Sequence, residues 1–285
     1  RDVAVTGVQT CALPILMKIA IAQTIAHSDF EKNFETFQAF TQKAKALGAE
    51  LIVFPEMAYF SAKKKDWMAL APQYPKLIEQ FQGLAKSVGL AILPGTLREP
   101  TKNPEKFYNT LCLIDSSGKV ISQYRKIFLY QAVLPEKTYD ETEYSEAGNQ
   151  MVTVEWQGIK LGFAICFDLR FPELFRALKK RGAQVVFLPS AFTVPTGQAH
   201  WEILIRARAI ENQFFMVAPG LTGTSGDGTT KYGHSMVVNP WGEILANLQL
   251  SEGIAVIEIE TSKIIEAESK VPAWSCRREE ILPIP

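Results

Sequence analysis

The sequence lacks an excess of charge of either sign, because its 30 lysine and arginine residues balance 30 aspartate and glutamate residues. A chain with no net charge has no general attraction for nucleic acid or for an anionic membrane surface, so we expect neither as a partner. It also lacks an apolar run near the roughly 20 residues that a membrane-spanning helix needs. This composition agrees with a soluble intracellular enzyme.

The first 16 residues differ in character from the rest of the chain. Residues 5–15 match the translation of a widely used short-read sequencing adapter, and Met17 then opens a natural apolar strand. The segment lacks the basic start, long apolar centre and small-residue cleavage site of a signal peptide. We therefore expect residues 1–16 to be non-native and residues 17–285 to form one domain.

Histidine and cysteine are scarce. The three histidines, His27, His200 and His234, lie far apart and show no metal-ligand spacing. One of the four cysteines, Cys11, belongs to the N-terminal segment, and the other three form an odd, sparse set that argues against a disulfide framework. We expect no metal, no organic cofactor and a reducing compartment, which indicates a cytoplasmic protein.

Short apolar runs alternate with amphipathic stretches along the whole chain. The runs predict strands at 18–23, 51–56, 91–97, 108–115, 119–125, 151–156, 159–165, 184–190, 214–219, 234–239, 243–248 and 254–259. The amphipathic stretches predict helices at about 29–47, 74–88, 172–181, 198–212 and 261–268. This mixture indicates an α/β protein in which helices cover two sheets within one domain.

Cys166 lies between an apolar strand at 159–165 and an amphipathic helix that begins at Pro172. Unpaired backbone N–H groups and the positive end of a helix at such a position lower the pKa of a thiol and favour the reactive thiolate. A lone cysteine in an apolar stretch is also commonly a small buried hydrophobe. Charged residues elsewhere in the chain are needed to distinguish a reactive thiol from a buried hydrophobic side chain.

Two charged residues occupy similar positions at strand ends. Glu56 ends the apolar run at 51–56, and Lys126 follows the β-rich segment at 119–125. Each alone is interpreted as a solvated side chain. Together with Cys166 they supply a general base, an oxyanion-stabilising cation and a nucleophile.

The segments around these residues resemble the signature segments of the nitrilase superfamily of carbon–nitrogen hydrolases, in the family's order. They are Phe-Pro-Glu ending at Glu56, Tyr-Arg-Lys-Ile-Phe-Leu around Lys126, and Cys-Phe-Asp-Leu-Arg-Phe-Pro-Glu from Cys166. The likeness extends from Met17 to about Arg278. The resemblance implies a four-layer α-β-β-α sandwich of two mixed sheets flanked by helices, in two pseudo-symmetric halves. It also implies a homodimer or a higher homo-oligomer.

The resemblance implies hydrolysis of a non-peptide amide through a cysteine thioester. Cys166 would attack the substrate carbonyl carbon while Glu56 accepts the thiol proton. Lys126 and the backbone N–H of Phe167 would hold the developing oxyanion. Glu56 would then protonate the departing ammonia and activate the water that cleaves the thioester.

The family also has a second glutamate that positions the lysine and the substrate. Glu141, seven residues before Gly148, occupies the matching place. Three other glutamates, Glu136, Glu143 and Glu146, lie in the same stretch. The alternative is that all of them belong to an acidic surface loop.

Arg170 follows the nucleophile by four residues and is the candidate for binding a substrate carboxylate. Its alternative is a structural ion pair with Glu173 or another acid. The segment around it resembles the Nit branch of the family (ω-amidases and deaminated-glutathione amidases), whose substrates carry an α-keto acid carboxylate. Tyr59, close to Glu56 in sequence, is a further candidate for the pocket wall.

Other functions stay open from the sequence. Phe128 and Tyr130 stand where His and Phe are common in that branch. Hydrolysis of N-carbamoyl amino acids or of aliphatic amides is therefore an alternative. A catalytically silent oligomeric scaffold and an acyltransferase are less favoured, the scaffold because a silent site does not need Glu56, Lys126 and Cys166 together.

Overall fold

The computed structural model describes residues 14–63, 66, 71–134 and 138–281. Its described helices of six or more residues are α1 (Phe30–Ala46), α2 (Tyr74–Val88), α3 (Pro172–Lys180), α4 (Val194–Asn212) and α5 (Ser262–Lys270). Its strands are β1 (Leu16–Gln23), β2 (Leu51–Val53), β3 (Ala91–Leu93), β4 (Thr96–Pro100), β5 (Phe107–Ile114), β6 (Val120–Arg125), β7 (Gln131–Val133), β8 (Thr138–Asp140), β9 (Ser145–Glu146), β10 (Thr153–Trp156), β11 (Ile159–Phe163), β12 (Val185–Phe187), β13 (Phe215–Ala218), β14 (Thr222–Thr224), β15 (Thr230–Tyr232), β16 (Met236–Val238), β17 (Ile244–Asn247) and β18 (Gly253–Glu260).

Two mixed sheets contain most of these strands. The first sheet has the order β18-β1-β2-β3-β5-β4, with β6 and β9 also paired to β5. The second has the order β10-β11-β12-β13-β16-β17. In each sheet three neighbouring strands, β1-β2-β3 and β11-β12-β13, run parallel, and the strands beside them pair antiparallel. The short strand β9 is an exception, because it pairs parallel with β5.

The alternation of side chains along β1 shows how the layers stack. Ile19 and Ile21 belong to the apolar cluster that also contains the strands of the second sheet. Ala20, one residue out of phase, belongs with Phe37 of α1 and Phe81 of α2 on the opposite face. On the far side of the second sheet, α3 and α4 pack against each other and α4 packs against β13. The result is the predicted four-layer α-β-β-α sandwich.

The two halves of the chain repeat one succession of elements. The first half runs β1-α1-β2-α2-β3 and the second runs β11-α3-β12-α4-β13, each with its three strands parallel. Polar residues that follow parallel strands collect at the carboxyl edge of a sheet, where α/β proteins bind ligands. Glu56 follows β2 in the first half and Cys166 follows β11 in the second half. Each half therefore contributes one of these two residues to the cavity that both of them line.

The structure corrects several predicted boundaries. The strand predicted at 91–97 is two strands, β3 and β4, separated at Gly95. Gly95 has φ +77°, and a Cβ atom there would lie 1.8 Å from the Pro55 carbonyl oxygen. Glycine is therefore required where this turn approaches the segment that carries Glu56. The strand predicted at 51–56 ends at Val53, which leaves Glu56 in the loop beyond it.

The helices are amphipathic, and their ends follow local chemistry. Asp29 caps α1 by accepting a hydrogen bond from the Lys32 backbone, and α2 ends at Gly89 with φ +66°. The helix predicted at 198–212 begins earlier, at Val194, with a proline in its first turn. Within the described residues, every helix is too short or too polar to cross a bilayer.

Candidate active site

The cysteine of the expected nucleophile segment lies on a strained turn. Cys166 opens the 3₁₀ turn Cys166–Arg170, three residues beyond the end of β11, and has φ +44°. The turn is held because the Cys166 N–H donates to the Pro189 carbonyl at 3.0 Å and the Asp168 N–H donates to the Ile165 carbonyl at 2.9 Å. Holding a residue other than glycine at positive φ costs free energy, and such backbone strain is concentrated at functional sites. The thiol reaches a cavity although only 9% of the residue is exposed.

A single lysine lies between two carboxylates at the centre of this region. Lys126 Nζ is 3.0 Å from Glu56 Oε1 and 2.7 Å from Glu141 Oε2. Burial alone would lower the pKa of Lys126, but the charges of Glu141 and Glu56 together raise that pKa well above its ordinary value. Lys126 therefore keeps its positive charge at neutral pH and stays in a fixed position.

Asn109, which no sequence pattern indicated, links the carboxylates of Glu56 and Glu141. Asn109 Nδ2 donates to Glu56 Oε1 at 2.8 Å and to Glu141 Oε1 at 3.3 Å. Asn109 lies in β5 among buried apolar residues. A buried amide within an apolar strand needs hydrogen-bond partners, and this is the signal that could have identified it.

Of the four glutamates in this stretch, the structure brings Glu141 to Lys126. Glu146 instead accepts a hydrogen bond from the Tyr108 hydroxyl at 3.0 Å. Glu143 lines the same cavity but makes no ion pair with Lys126. The fourth acid, Glu136, lies outside the described residues.

Glu56, Lys126, Glu141 and Cys166 line one cavity of about 510 Å³. Phe167 and Arg170 also line it, as expected from the sequence. Other side chains of its wall include Met57, Phe60, Arg98, Asn109, Tyr130, Tyr144, Phe192, Thr193 and Thr196. The cavity therefore combines a thiol, carboxylates and cations with aromatic walls, which is typical of a small-molecule site.

The prediction of a lowered thiol pKa is wrong. Burial, and after it the nearby charge of Glu56, raise the pKa of Cys166 well above its ordinary value. Lys126 and a backbone hydrogen bond at Ala191 lower that pKa, but by less. The sequence showed the turn but not the depth of burial. Cys166 is therefore a protonated thiol at rest and needs a base when it reacts.

Tyr59 does not line the cavity, which corrects a second expectation. Its side chain is fully buried, its hydroxyl accepts a hydrogen bond from Arg98 at 2.9 Å, and its carbonyl accepts one from Asn33 at 2.9 Å. The chain turns at Met57, which has φ +54°, and this turn directs Tyr59 into the core. Met57 and Phe60 line the cavity in its place.

Arg170 presents its guanidinium group at the aromatic wall. The guanidinium carbon lies 5.8 Å from the ring centroids of both Phe167 and Phe192, and Nη2 is 3.3 Å from His200 Nδ1. Over the described part of the chain, neither Glu173 nor another carboxylate forms an ion pair with Arg170. Its positive charge is thus open to an anionic ligand.

Asp168 joins the cysteine turn to the strand that leads to Lys126. Its buried carboxylate accepts hydrogen bonds from the Tyr124 hydroxyl at 2.7 Å, the Phe128 N–H at 2.9 Å and the Ile165 N–H at 2.8 Å. Burial raises its pKa to about 6 in spite of these donors. Asp168 is therefore a positioning residue, which the sequence analysis did not identify.

We expect Asp168→Asn to destabilise the protein by about 3 kcal/mol, because an amide cannot accept from all three donors and turns its own N–H groups toward one of them. Urea denaturation measures this, with Glu105→Gln at an exposed position as the control, expected within about 0.5 kcal/mol of wild type. The folded state binds the Asp168 proton more tightly than the unfolded chain does. As the pH rises from about 4 to about 6, the stability of wild type should therefore fall relative to that of the variant. An unchanged denaturation midpoint would contradict this role.

A thiol, a lysine and two carboxylates that share one cavity on this four-layer fold define a hydrolase of carbon–nitrogen bonds other than peptide bonds. The chain belongs to the carbon–nitrogen hydrolase family, whose family model matches residues 18–268. The resemblance drawn from the sequence segments is thereby confirmed.

Individual relatives agree with this assignment. Human deaminated glutathione amidase is 34% identical over 288 residues, covering 99% of this chain and 87% of that protein. The nitrilase and fragile histidine triad fusion protein NitFhit of Caenorhabditis elegans is 36% identical over 271 residues, which are 92% of this chain but only 61% of the fusion protein. The chain therefore spans less than two thirds of that relative.

Solved structures agree as well. The crystal structure of C. elegans NitFhit matches with a TM-score of 0.88 at 35% identity, over 93% of this chain and 66% of that chain. A mutant amidase from Nesterenkonia sp. AN1 matches with a TM-score of 0.80 at 29% identity, over 93% of this chain and 95% of that chain. In that protein the acetamide moiety of fluoroacetamide is added covalently at the active-site cysteine.

Proposed function

We propose that this enzyme hydrolyses the ω-amide of a small keto acid through a thioester on Cys166 and releases ammonia. The observation that carries the proposal is the contact of one buried lysine with both Glu56 and Glu141 in the cavity that the Cys166 thiol reaches. The relatives named deaminated glutathione amidase support the choice of substrate class.

The first half of the reaction forms the thioester. Glu56 accepts the proton of the Cys166 thiol as sulfur attacks the amide carbon. Lys126 and the Phe167 N–H stabilise the oxyanion. The amides on either side of Phe167 already donate to Pro189 and Ile165, so the Phe167 amide is the one left for the substrate.

The second half of the reaction breaks the thioester. Glu56, now protonated, gives its proton to the departing nitrogen, so ammonia leaves as a neutral molecule. Glu56 then takes a proton from a water molecule that attacks the thioester carbon. Collapse of this second tetrahedral intermediate returns the proton to Cys166 and releases the acid. Glu141 and Asn109 hold Lys126 and Glu56 in place throughout.

Arg170 is proposed to bind the substrate carboxylate. We expect Arg170→Gln to lower kcat/KM about 100-fold for ω-amides of keto dicarboxylates and for deaminated glutathione, because a charge-assisted hydrogen bond is lost. Neutral amides should change by less than about threefold. The measurement is release of ammonia or amine over a substrate panel, with the exposed Arg181→Gln as control. Equal losses on charged and neutral amides would contradict the assignment.

Simple amides are the second candidate class, favoured by the reaction of fluoroacetamide with the active-site cysteine of the Nesterenkonia amidase. The same panel includes simple amides and N-carbamoyl amino acids. Preferential turnover of either would keep the mechanism and replace the substrate class. Added hydroxylamine separates hydrolysis from acyl transfer, and a complete lack of turnover would favour a silent scaffold.

A homodimer is proposed from an apolar surface on α4. Ile203 and Ile210 lie seven residues apart on this helix with 68% and 49% of their surface exposed. Ile210 packs next to Gly242, beside Trp241, whose exposed ring lies under Lys270 of α5. Light scattering should give twice the monomer mass for wild type and the monomer mass for Ile203→Asp/Ile210→Asp. A monomeric wild type would contradict the proposal.

We also propose a cytoplasmic location. Cys112, Cys166 and Cys276, the cysteines of the described residues, are all free thiols. Free thiols are typical of a reducing compartment. Fractionation of the source cells tests the location directly.

A further inference from the structure

The hydroxyl group of Tyr130 is a buried polar group that the proposed mechanism does not use. Tyr130 follows Lys126 by four residues and lines the cavity that holds Cys166. Its oxygen is shielded from solvent and makes no hydrogen bond of good geometry within the described protein. Leaving such a group unpaired costs free energy, so native structures seldom do so without a functional reason.

The ring of Tyr130 is held in a fixed orientation. The Phe167 ring meets it edge-on with centroids 5.2 Å apart, and the Tyr139 ring lies 5.3 Å away. The Tyr130 backbone N–H donates to Glu141 Oε2 at 2.7 Å, which ties it to the carboxylate that contacts Lys126. The hydroxyl is therefore presented at a defined place and cannot swing toward solvent without breaking these contacts.

Thr193 and Arg170 line the same cavity as Tyr130. Burial raises the pKa of the Tyr130 hydroxyl, whereas a hydrogen-bonding interaction with the Thr193 side chain and the charge of Arg170 lower that pKa. Thr193 is therefore the polar side chain within reach of the hydroxyl, although the contact lacks the geometry of a good hydrogen bond. Phe167 contacts both the Tyr130 ring and the Arg170 guanidinium group, so the two donors are neighbours of one ring.

We propose that the Tyr130 hydroxyl donates a hydrogen bond to an oxygen of the substrate's acyl part, carboxylate or keto group, beside Arg170. Tyr130 thereby selects acyl chains that carry oxygen at the end opposite the amide. This inference rests on the proposed keto-acid amidase function and adds a specificity-determining residue to it.

Tyr130→Phe tests the proposal because it removes only the hydroxyl. Two five-carbon amides serve as probes: 2-oxoglutaramate, which carries both oxygen groups, and pentanamide, which carries neither. We expect kcat/KM to fall about 30-fold for 2-oxoglutaramate, mainly through KM, and to change less than about twofold for pentanamide. The matched control is Tyr108→Phe, whose hydroxyl binds Glu146 away from the cavity.

A binding measurement separates this inference from the proposed function. Calorimetry with 2-oxoglutarate compares Cys166→Ala with Cys166→Ala/Tyr130→Phe. Weaker binding by the double variant, by about tenfold or more, supports the role of Tyr130. Equal binding by the two proteins, or an equal loss of kcat/KM on both amides, overturns the role of Tyr130 alone. If neither protein binds 2-oxoglutarate and wild type does not hydrolyse 2-oxoglutaramate, the proposed substrate class and this inference both fail.

Discussion

Replacing Cys166 with alanine is expected to lower kcat for every amide substrate by at least about 10⁵-fold, because no other group can form the thioester. The neighbouring groups of the cavity stay in place, since the turn is held by the backbone bond to Pro189 and by Asp168. The variant should therefore fold and still bind substrate. Steady-state ammonia release measures the loss, and calorimetry measures the retained binding.

Cys112→Ala is the matched control for that experiment. Cys112 is a buried free thiol on β5 that does not line the cavity, and it packs in the cluster between the first sheet and its helices. Its replacement should cost stability but leave kcat within about twofold of wild type. If Cys166→Ala kept more than about 1% of wild-type turnover, the thioester mechanism would be wrong.

Replacing Glu56 with glutamine is expected to lower kcat by about 10³- to 10⁴-fold, because the thiol is protonated at rest and the amide cannot accept its proton. Asn109 and Lys126, which now contact the carboxylate at 2.8 Å and 3.0 Å, can still donate to the amide oxygen. The loss should therefore appear in kcat more than in substrate binding. Stopped-flow and steady-state rates measure it, with the exposed Glu105→Gln as control.

In Glu56→Gln the thiol should react with iodoacetamide at lower pH than in wild type, although its turnover of amides falls. Burial, and then the charge of Glu56, raise the pKa of Cys166, so removal of this charge should lower that pKa. The pH midpoint of alkylation should fall in Glu56→Gln while amide turnover also falls. A general base explains both changes together. A lower alkylation rate at every pH would instead indicate a disturbed pocket.

The local features of the fold could be predicted because they depend on neighbouring residues. The apolar run before Cys166 and the proline that begins α3 at Pro172 define the turn between them. The spacing of Glu56 after β2 and of Lys126 after β6 likewise follows from short apolar runs with clear ends. The predicted helix at 74–88 matches α2 because its apolar periodicity and the terminal glycine agree.

Features that depend on packing between distant segments could not be predicted. The raised pKa of Cys166 follows from burial by elements far away in sequence. Asn109 is 53 residues from Glu56 and 32 from Glu141, and only the pairing of β5 in the first sheet brings it between them. Tyr59 was expected at the cavity from its closeness to Glu56, but one turn at Met57 directs it into the core.

Glu141 depends on both local sequence and distant packing. Its position before Gly148 selected it from the resemblance, and the acids around it have the same charge and similar local sequence. What distinguishes it physically is that its carboxylate contacts Lys126 at 2.7 Å and accepts from the Tyr130 backbone. A pattern of residues can suggest such a contact, whereas the sheet and loop geometry are needed to establish it.

The central claim is that substrate becomes covalently attached to Cys166. The most direct measurement is acid quenching of wild-type enzyme during turnover of 2-oxoglutaramate, followed by mass spectrometry of the tryptic peptide spanning residues 161–170, which contains no cysteine other than Cys166. The account predicts a mass increase on this peptide equal to the acyl group, and its loss as a hydroxamate when hydroxylamine is added. Sustained turnover with no acyl group on this peptide, or with the acyl group on another residue, would contradict the account.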